Sequence, residues 1–431
     1  MIKIDRRVAV AASAGLLVLA VACGGDDEPA AANTPIPTTA PAAPAATTPP
    51  VTIPTVAPPN GGADNPTPPA TVGAAFNWSV QTVDEGTKPA IALTSDGTPY
   101  VAYMLEAIPG FVKAASNTGD GWKIDTIVED YFYGPLDLAI GPDDVPHIAY
   151  HDHQDSGFDP EKGDAVHAFL EGGVWKTEIA ADAGHDGWDN RIIVDGQNVV
   201  HMTGIDPQEF GGAGVEYYVR SADGAWTVED IGSGRLTYQF ATSVAVDPDG
   251  NPHVTFFNQP ENDLSLSSRD SSGNWTVSTI DDSGDTGLFA QILIDDSGRF
   301  HVSYGSQPTR SSLLVKYATR GPGESAWIIS EIDTLENVRI GMDFARNSTS
   351  IALDSLGNPV IAYSDLDNVR IAVSDGSAWT TETIAEAAAD ELGQIVSLKL
   401  DADDNAHVAF AETTRRSPLQ GIVKYAIGIR N

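Results

Sequence analysis

The stretch from Ser243 to Ile280 contains the runs SVAVDPDGNPHVTFF (243–257), LSLSSR (264–269), DSSG (270–273) and WTVSTI (275–280). Four of its segments are short and alternate in polarity, with many β-branched residues, as half-buried β-strands do. Gly, Asp, Asn or Pro bounds each segment, and these residues favour turns. The stretch therefore predicts four short β-strands, which we label A to D in chain order.

The same order of strands returns along the chain. It is recognisable in SIALDSLGNPVIAYSD (350–365), VRIAVSDGSAWTTETI (369–384) and LKLDADDNAHVAFAE (398–412). Seven tryptophans, separated by 44 to 53 residues, mark the repeat: Trp78, Trp122, Trp175, Trp226, Trp275, Trp327 and Trp379. A period near fifty with several strands per unit is typical of a β-propeller. We predict an all-β, seven-bladed β-propeller with four-stranded blades.

The two ends of the chain complement each other. The last unit stops after strand C at Ile422–Ala426, and it has no tryptophan strand of its own. The first tryptophan strand, Trp78–Val83, precedes any strand A. We therefore expect the N-terminal strand to serve as strand D of the last blade, because an open ring would expose an unpaired edge.

Strand B suggests how the blades pack. Its third residue is always small: Ala102, Ala149, Thr203, Thr255, Ser303, Ala362 and Ala409. Alternation places these residues on one face of each sheet and larger residues on the other. We expect the small face of one blade to meet the large face of the next, with the tryptophan of strand D covering the joint.

The first 22 residues predict a secretory signal peptide, with a basic start followed by an apolar run from Val8 to Ala22. Cys23, the only cysteine, comes next. The sequence around it resembles a bacterial lipoprotein signal, whose cysteine is acylated after cleavage. The segment Ala20–Ala22 also suits an ordinary A-x-A cleavage, which would release a soluble product.

Residues 23–75 begin with Cys23 and lead to the first tryptophan strand, and Ala, Pro, Thr and Gly dominate residues 24–75. Such a segment buries too little apolar surface to offset its ordering entropy. We expect a disordered tether that leads from the lipidated cysteine to the propeller, residues 76–431. The predicted location is extracytoplasmic, at the cell surface, anchored in the membrane by lipid.

The charge is strongly acidic. The chain has 60 Asp and Glu against 24 Lys and Arg, a net charge of −36. We expect no nucleic-acid partner, because this sign repels phosphate. Much of the acid lies in turns, where it favours turn geometry and solubility. An alternative is calcium bound by Asp247, Asp249 and Asn251, in the spacing D-x-D-x-N.

Loop lengths point to one face of the ring. The A–B and C–D turns are tight, whereas the B–C and D–A connections are longer, and strand direction places these longer connections on the same face. We call it the loop face. Binding residues concentrate in such loops on rigid scaffolds, and we expect any site there.

Histidines form the first candidate site. Five of the nine histidines occupy the first position of strand B in their blades: His147, His201, His253, His301 and His407. This repetition indicates a shared structural role. The candidate metal ligands, in or beside the second blade, are His151, Asp152, His153 and His185. Imidazole and carboxylate suit a divalent cation, zinc or calcium. The alternative is a polar loop that binds no metal.

Arginines form the second candidate. Those at loop-face connections or at strand-A entrances are Arg191, Arg235, Arg339, Arg346, Arg415 and Arg416. Guanidinium groups near the axis would bind a carboxylate or sulfate, and we take the first four as candidate ligand-binding residues. Alternatively, they pair with surface acids, an interaction that contributes little.

The turns SADGAW (221–226), SDGSAW (374–379) and NTGDGW (117–122) resemble degenerate Asp-box (BNR) repeats of sialidase-like propellers. The resemblance implies the fold and a glycan-related activity. Sialidases of that family have six blades, an arginine triad, a Tyr/Glu pair and an acidic Asp, whereas this chain has seven repeats.

Three functions follow as hypotheses. The first is a monomeric, surface-anchored module that binds a glycan, peptide or protein. The second is a glycan hydrolase or lyase, and the third is a metal-dependent site centred on the second blade. Propellers host many unrelated functions, so the fold does not decide among them.

Overall fold

The structure is a computed structural model. It describes residues 75–431 apart from 106–108, 131–133, 153–162, 183–185, 208–211, 236–241, 259–260, 310, 337–347, 366, 387–390 and 415–420. These residues belong to one unit, Pro69–Asn431. Within them we find no helix long and apolar enough to cross a lipid bilayer.

Seven four-stranded antiparallel blades form a ring, so the chain is a seven-bladed β-propeller as the sequence predicts. In blades 1 to 6 the strands pair in sequence order from A to D, and in the last blade the N-terminal strand takes the position of strand D. Blades 3 and 4 are also joined by a single bridge between Gly234 and Asn258.

The bounds of the strands are as follows. Blade 1 contains β2 (Thr87–Leu93), β3 (Pro99–Leu105), β4 (Gly110–Asn117) and β5 (Trp122–Asp130). Blade 2 contains β6 (Asp137–Ile140), β7 (Pro146–Asp152), β8 (Asp164–Glu171) and β9 (Val174–Ala181). Blade 3 contains β10 (Trp188–Val194), β11 (Val200–Pro207), β12 (Gly212–Arg220) and β13 (Trp226–Arg235). Blade 4 contains β14 (Thr242–Val246), β15 (Pro252–Asn258), β16 (Asp263–Arg269) and β17 (Trp275–Asp281).

The remaining blades follow the same plan. Blade 5 contains β18 (Thr286–Ile294), β19 (Phe300–Thr309), β20 (Ser312–Arg320) and β21 (Ile328–Glu336). Blade 6 contains β22 (Thr349–Leu353), β23 (Pro359–Ser364), β24 (Asn368–Ser374) and β25 (Trp379–Glu386). Blade 7 contains β26 (Glu391–Leu400), β27 (Ala406–Thr414), β28 (Gly421–Arg430) and β1 (Phe76–Glu85).

The N-terminal strand closes the ring, which confirms the predicted closure. β1 pairs antiparallel with β28, and Gln81 lies opposite Tyr425. Trp78 lies opposite Gly428, where a Cβ would stand 2.8 Å from the indole ring. Glycine at 428 therefore leaves room for the indole. The Trp78 Nε1–H donates to Glu382 of blade 6 at 2.9 Å, which ties the closing strand to a second blade.

The core lies in the joints between blades. Buried apolar side chains among the described residues form seven clusters, and each cluster packs against one of the repeating tryptophans. At the joint between blades 7 and 1, for example, Tyr425 and Ala409 meet Val101 and Tyr103, and Trp122 covers them. The prediction that tryptophan covers the joints is confirmed.

The histidines that open strand B have the expected structural role. In blades 3, 4, 5 and 7 the Nε2 atom lies 3.2–3.4 Å from the aspartate that begins the A–B turn. The pairs are His201–Asp195, His253–Asp247, His301–Asp295 and His407–Asp401. Because a carboxylate only accepts, Nε2 carries the proton, and Nδ1 accepts from a hydroxyl on strand C. In blade 2, His147 instead contacts His167, with 2.9 Å between Nδ1 and Nε2.

Candidate functional site

The predicted metal site at the second blade begins with His151. Its ring is completely buried near the end of β7, at the loop face. Nδ1 lies 2.8 Å from the carbonyl oxygen of Asp186, in the connection to blade 3, and therefore donates to it. The ring also lies 5.5 Å from the indole of Trp188. His151 thus fixes the backbone of a segment that enters the joint between blades 2 and 3.

The other predicted metal ligands are placed only in part. Asp152, the last residue of β7, is half-buried. His153 and His185 lie outside the described residues. Zinc or calcium bound by this set therefore stays a prediction.

Three carboxylates converge beside His151. Oxygens of Asp186, Asp206 and Glu216 lie within 4.8 Å of one another. Asp186 is buried in the connection to blade 3, whereas Asp206 and Glu216 are half-buried on β11 and β12. Three separate segments thus supply one cluster, which we call the acidic cluster. It lies at the loop-face end of the joint between blades 2 and 3.

Two glycines allow the Asp186 segment to enter this joint. Gly187 adopts a φ of +76°, and a Cβ there would lie 2.5 Å from the Cβ of Ala165. A Cβ on Gly204 would lie 2.8 Å from the Cα of Gly187. Any side chain at either position would displace the segment, because such short contacts are not tolerated.

Other blade joints show which residues occupy the positions of Gly204 and Glu216 elsewhere in the repeat. In blades 1, 5 and 6, a tyrosine of strand B lies opposite a lysine or arginine of strand C. Both contact an aspartate from the preceding blade. The sets are Asp84–Tyr103–Lys113, Asp281–Tyr304–Lys316 and Asp333–Tyr363–Arg370. Each set joins two blades through an ion pair and a tyrosine hydrogen bond.

Blade 3 departs from this arrangement. Gly204 occupies the tyrosine position, and Glu216, its partner across the strands, occupies the basic position. Glu216 thus puts an acid where other blades have a basic side chain. Gly204 has no side chain and leaves open the volume that a tyrosine ring fills in those blades. Asp186 and Gly187 enter that space, and the Gly187 N–H donates to the hydroxyl of Tyr218 at 3.1 Å. A structural ion pair has become an acidic pocket at one joint.

The cluster has unusual protonation. Burial, together with the charges of Asp186, Asp206 and Asp230, raises the pKa of Glu216 from 4.5 to about 7, although a hydrogen bond from Tyr218 opposes the shift. The hydroxyl of Tyr218 donates to Glu216 at 2.6 Å. Burial and the same neighbours also raise the pKa of Asp206. Like charges held this close favour either a shared proton or a bound cation.

A fourth oxygen donor lies close to this segment. Asn190 is completely buried, and neither atom of its side-chain amide has a hydrogen-bond partner among the described residues. Its Nδ2 lies 3.0 Å from the point where a Cβ on Gly187 would stand. Carboxylate and amide oxygens are the donors that calcium prefers, at about 2.3–2.6 Å.

The alternative calcium site in a turn has different geometry. The Asp247 carboxylate accepts the backbone N–H groups of Asp249 and Asn251 at 2.9 and 2.8 Å. It also accepts the Asn251 amide and lies near His253. Its oxygens are therefore used within the turn, which supports the interpretation as turn chemistry.

Of the predicted arginines, Arg191 is the one whose side chain lies within the described part of the chain. Arg191, on inner strand β10, lines a narrow cavity on the axis, and its Nη1 lies 3.9 Å from Asp137 of blade 2. Arg235 ends β13, and its side chain is outside the description. Arg339 and Arg346 lie outside the described residues, as do Arg415 and Arg416. Ligand binding by these residues stays a prediction.

Sequence analysis missed Asp206 and Glu216. The signal was present, because aligning the repeats places Glu216 at the position of Lys113, Lys316, Arg370 and Lys424. A sign reversal at a repeated position indicates a local function, since structural roles recur with the repeat.

No protein-family model matches the chain, and no curated protein matches it. Solved structures do resemble it. An ulvan lyase described as a new family of polysaccharide lyase is 11% identical, over 81% of this chain and 94% of the lyase, with a TM-score of 0.50. Aleuria aurantia lectin in complex with alpha-methyl-L-fucoside is 13% identical over 71% of this chain and 99% of the lectin, with a TM-score of 0.47.

A third solved structure, Trypanosoma rangeli sialidase, is 12% identical over 82% of this chain and 60% of the sialidase, with a TM-score of 0.43. Identities this low show no more than a common fold. The acidic cluster is therefore interpreted from its own chemistry.

Proposed function

We propose that this chain is a surface-anchored binding propeller whose loop face holds its ligand through a divalent cation at the acidic cluster. The observation that carries the proposal is the convergence of Asp186, Asp206 and Glu216 within 4.8 Å, at the one position where blade 3 reverses the charge of the repeat. Calcium is the proposed cation, because the donors are oxygens.

The coordination number leads from cation to ligand. Calcium takes about 6–8 oxygen atoms, and three carboxylates supply between three and six of them. The remaining positions are filled by water or by oxygens of a ligand. Asp206 and Glu216 are half-buried and therefore retain access to solvent. A glycan that presents paired hydroxyl or carboxylate groups is the ligand class that best matches such positions.

Calcium binding is tested by isothermal titration of the purified protein with calcium chloride. We expect one site that Glu216→Gln or Asp206→Asn weakens at least about tenfold, since each variant removes a charged ligand. Asp120→Asn removes one acid from an exposed turn and serves as the control. Unchanged calcium affinity in both cluster variants would contradict the proposal.

Glycan binding is tested separately, with immobilised acidic and neutral polysaccharides. We expect calcium-dependent retention of an acidic polysaccharide, abolished by EDTA and by Glu216→Gln. If calcium binds but no polysaccharide is retained, the cation site stands and the glycan is excluded as its ligand. A peptide or protein ligand then becomes the alternative.

A second candidate function follows from the raised pKa of Glu216. A carboxylic acid that holds its proton near pH 7, beside carboxylates, is suited to act as a general acid on a glycosidic or uronic substrate. Release of reducing ends or unsaturated sugars from polysaccharides, lost in Glu216→Gln, would favour a hydrolase or lyase over a binding module.

The lipid anchor at Cys23 is part of the proposal. It rests on the apolar run that ends at Ala22 and on the single cysteine that follows it. Metabolic labelling with an alkyne fatty acid is expected to label the wild-type protein and not Cys23→Ser. Equal labelling of both would exclude this cysteine as the attachment point. We propose that the propeller acts as a monomer, which sedimentation of the soluble Cys23→Ser variant tests.

A further inference from the structure

The tryptophan of strand D makes a second repeated contact, at the face opposite the loop face. At the joints between blades 2 and 3 and between blades 3 and 4, its indole Nε1–H donates to a glutamate on strand D of the preceding blade, at 3.1 and 2.7 Å. The arginine that ends strand C pairs with the same carboxylate, at 3.2 and 2.9 Å. One carboxylate thus binds two donors of the next blade. The sets are Glu178–Arg220–Trp226 and Glu229–Arg269–Trp275.

The joint between blades 4 and 5 lacks this carboxylate. Ser278 stands three residues after the tryptophan of its strand, as Glu178 and Glu229 do in theirs. Blade 5 nevertheless keeps both donors, since Arg320 ends strand C and Trp327 follows the C–D turn. Ser278 is exposed, so the glutamate position is open to solvent at this joint.

Both donors of blade 5 are without an acceptor in the described part of the chain. Nε1 of Trp327 is buried and has no hydrogen-bond partner there. No carboxylate of the described residues lies within 4.0 Å of the Arg320 guanidinium. Burial lowers the pKa of Arg320, and no neighbouring acid opposes that shift. Unpaired donors at a blade joint are costly, and an anion that accepts from both would offset the cost.

Two aromatic rings hold the Arg320 guanidinium beside the indole. Its central carbon lies 4.9 Å from the centre of the Phe300 ring and 4.5 Å from the centre of the Trp327 ring. Stacking uses the faces of a guanidinium, whereas its N–H groups point outward in its plane and stay available to an acceptor. The stack therefore fixes the cation next to the indole without using its hydrogen-bond donors.

Two other joints show that an unpaired indole alone does not make such a site. Nε1 of Trp122 and Nε1 of Trp175 are also buried without an acceptor among the described residues. The residues opposite these tryptophans at the end of strand C are Asn117 and Leu170, and neither carries a charge. Within the described part of the chain, blade 5 alone combines the arginine and the unpaired indole with the loss of the glutamate.

We propose that the joint between blades 4 and 5 binds the carboxylate group of an external ligand, between Arg320 and Trp327. The ligand carboxylate takes the place that Glu178 and Glu229 occupy at the two preceding joints, and it enters past the exposed Ser278. Sugar acids and acidic amino acids both present this group. The site lies on the face opposite the acidic cluster and does not depend on the proposed function.

The direct test follows the indole N–H signal of Trp327 by NMR, in protein made with isotopically labelled tryptophan and assigned with Trp327→Phe. Sodium chloride is replaced stepwise by sodium acetate at constant ionic strength, so that screening does not change. We expect a saturable downfield shift, because the N–H gains a charged acceptor. Methyl glucuronide and N-acetylglutamate are titrated in the same way, and the one that half-saturates at the lower concentration identifies the source of the carboxylate. A Trp327 signal that none of the three carboxylates moves overturns the proposal.

A matched pair of variants tests the same geometry through stability. Ser278→Glu supplies the carboxylate from the chain itself, and we expect it to melt about 2 °C higher than the wild type and to lose the acetate shift. Ser330→Glu adds the same charge at the equivalent position of blade 5, where the next blade has Ser374 instead of the arginine. This control should melt no higher than the wild type, because the chain already has a net charge of −36. A Ser278→Glu variant that gains nothing over Ser330→Glu, or that keeps the acetate shift, also overturns the proposal.

Discussion

Replacing Glu216 by glutamine should stabilise the metal-free protein above neutral pH. The change keeps the shape of the side chain and an oxygen that accepts from Tyr218, but it removes one of three crowded charges. In the wild type, burial and the nearby carboxylates raise the pKa of Glu216 from 4.5 to about 7. The ionised form is therefore disfavoured in the folded protein relative to the unfolded chain.

The magnitude follows from linkage. A shift from 4.5 to about 7 corresponds to about 3 kcal/mol of unfolding free energy. Between these two pH values, the unfolded chain releases a proton that the folded protein retains. Stability contributed by the protonated carboxyl is fully present below pH 4.5 and is lost as the pH rises to about 7. Glutamine does not titrate, so the variant lacks this loss.

Urea unfolding in EDTA, at about pH 5 and about pH 8, measures the effect. We expect Glu216→Gln to exceed the wild type by up to about 3 kcal/mol at the higher pH and to match it more closely at the lower one. Glu129→Gln, at an exposed position of β5, is the control and should show no such pH dependence.

Added calcium should make the wild type more stable than Glu216→Gln. Calcium binds the folded protein, and only the wild type offers it all three carboxylates. A Glu216→Gln variant that is less stable than the wild type at both pH values would refute the argument. That result would mean that the negative charge of Glu216 is already neutralised by other groups in the metal-free protein.

Three further predictions concern the scaffold. Asp281→Ala leaves a lysine ammonium buried without its carboxylate and should cost about 3–5 kcal/mol in urea unfolding, whereas Asp125→Ala, in an exposed pair, should cost less than about 1 kcal/mol. Burial lowers the pKa of His301 below 6.5, so the unfolded chain takes up its proton first and stability falls as the pH drops below 6.5. His301→Gln should reduce that slope by up to about 1.4 kcal/mol per pH unit, and an unchanged slope would contradict the argument. Deleting Phe76–Glu85 should lower the melting temperature by more than about 10 °C, because blade 7 loses its outer strand and the tryptophan that covers one joint. A small change would show that the ring does not need this strand.

The sequence predicted the scaffold because its determinants are local and repeated. Turn residues, alternating strands and a tryptophan in each unit occur seven times, so an error in one unit is corrected by the others. The small third residue of strand B and the structural histidines were found in the same way. Ring closure followed from counting strands, since blade 7 needs one that only the N-terminus supplies.

The acidic cluster is a different case. Three of the four predicted metal ligands, residues 151 to 153, follow one another in sequence, but the converging carboxylates come from residues 186, 206 and 216. Their approach depends on Gly187 and Gly204 at a blade joint, a contact between segments that no local pattern encodes. The departure of blade 3 from the repeat is visible in the sequence only after strand register places Glu216 at the position of Lys113.

The sequence by itself determined the fold, the blade count and the way the ring closes, because strand periodicity and turn chemistry act between near neighbours and recur in every blade. Only the tertiary structure decided where charge accumulates. It placed Asp186 beside Glu216, and it brought Arg191 of blade 3 to 3.9 Å from Asp137 of blade 2. The physical reason is that electrostatic and desolvation energies depend on distances in space, and ring closure makes neighbours of residues far apart in the chain.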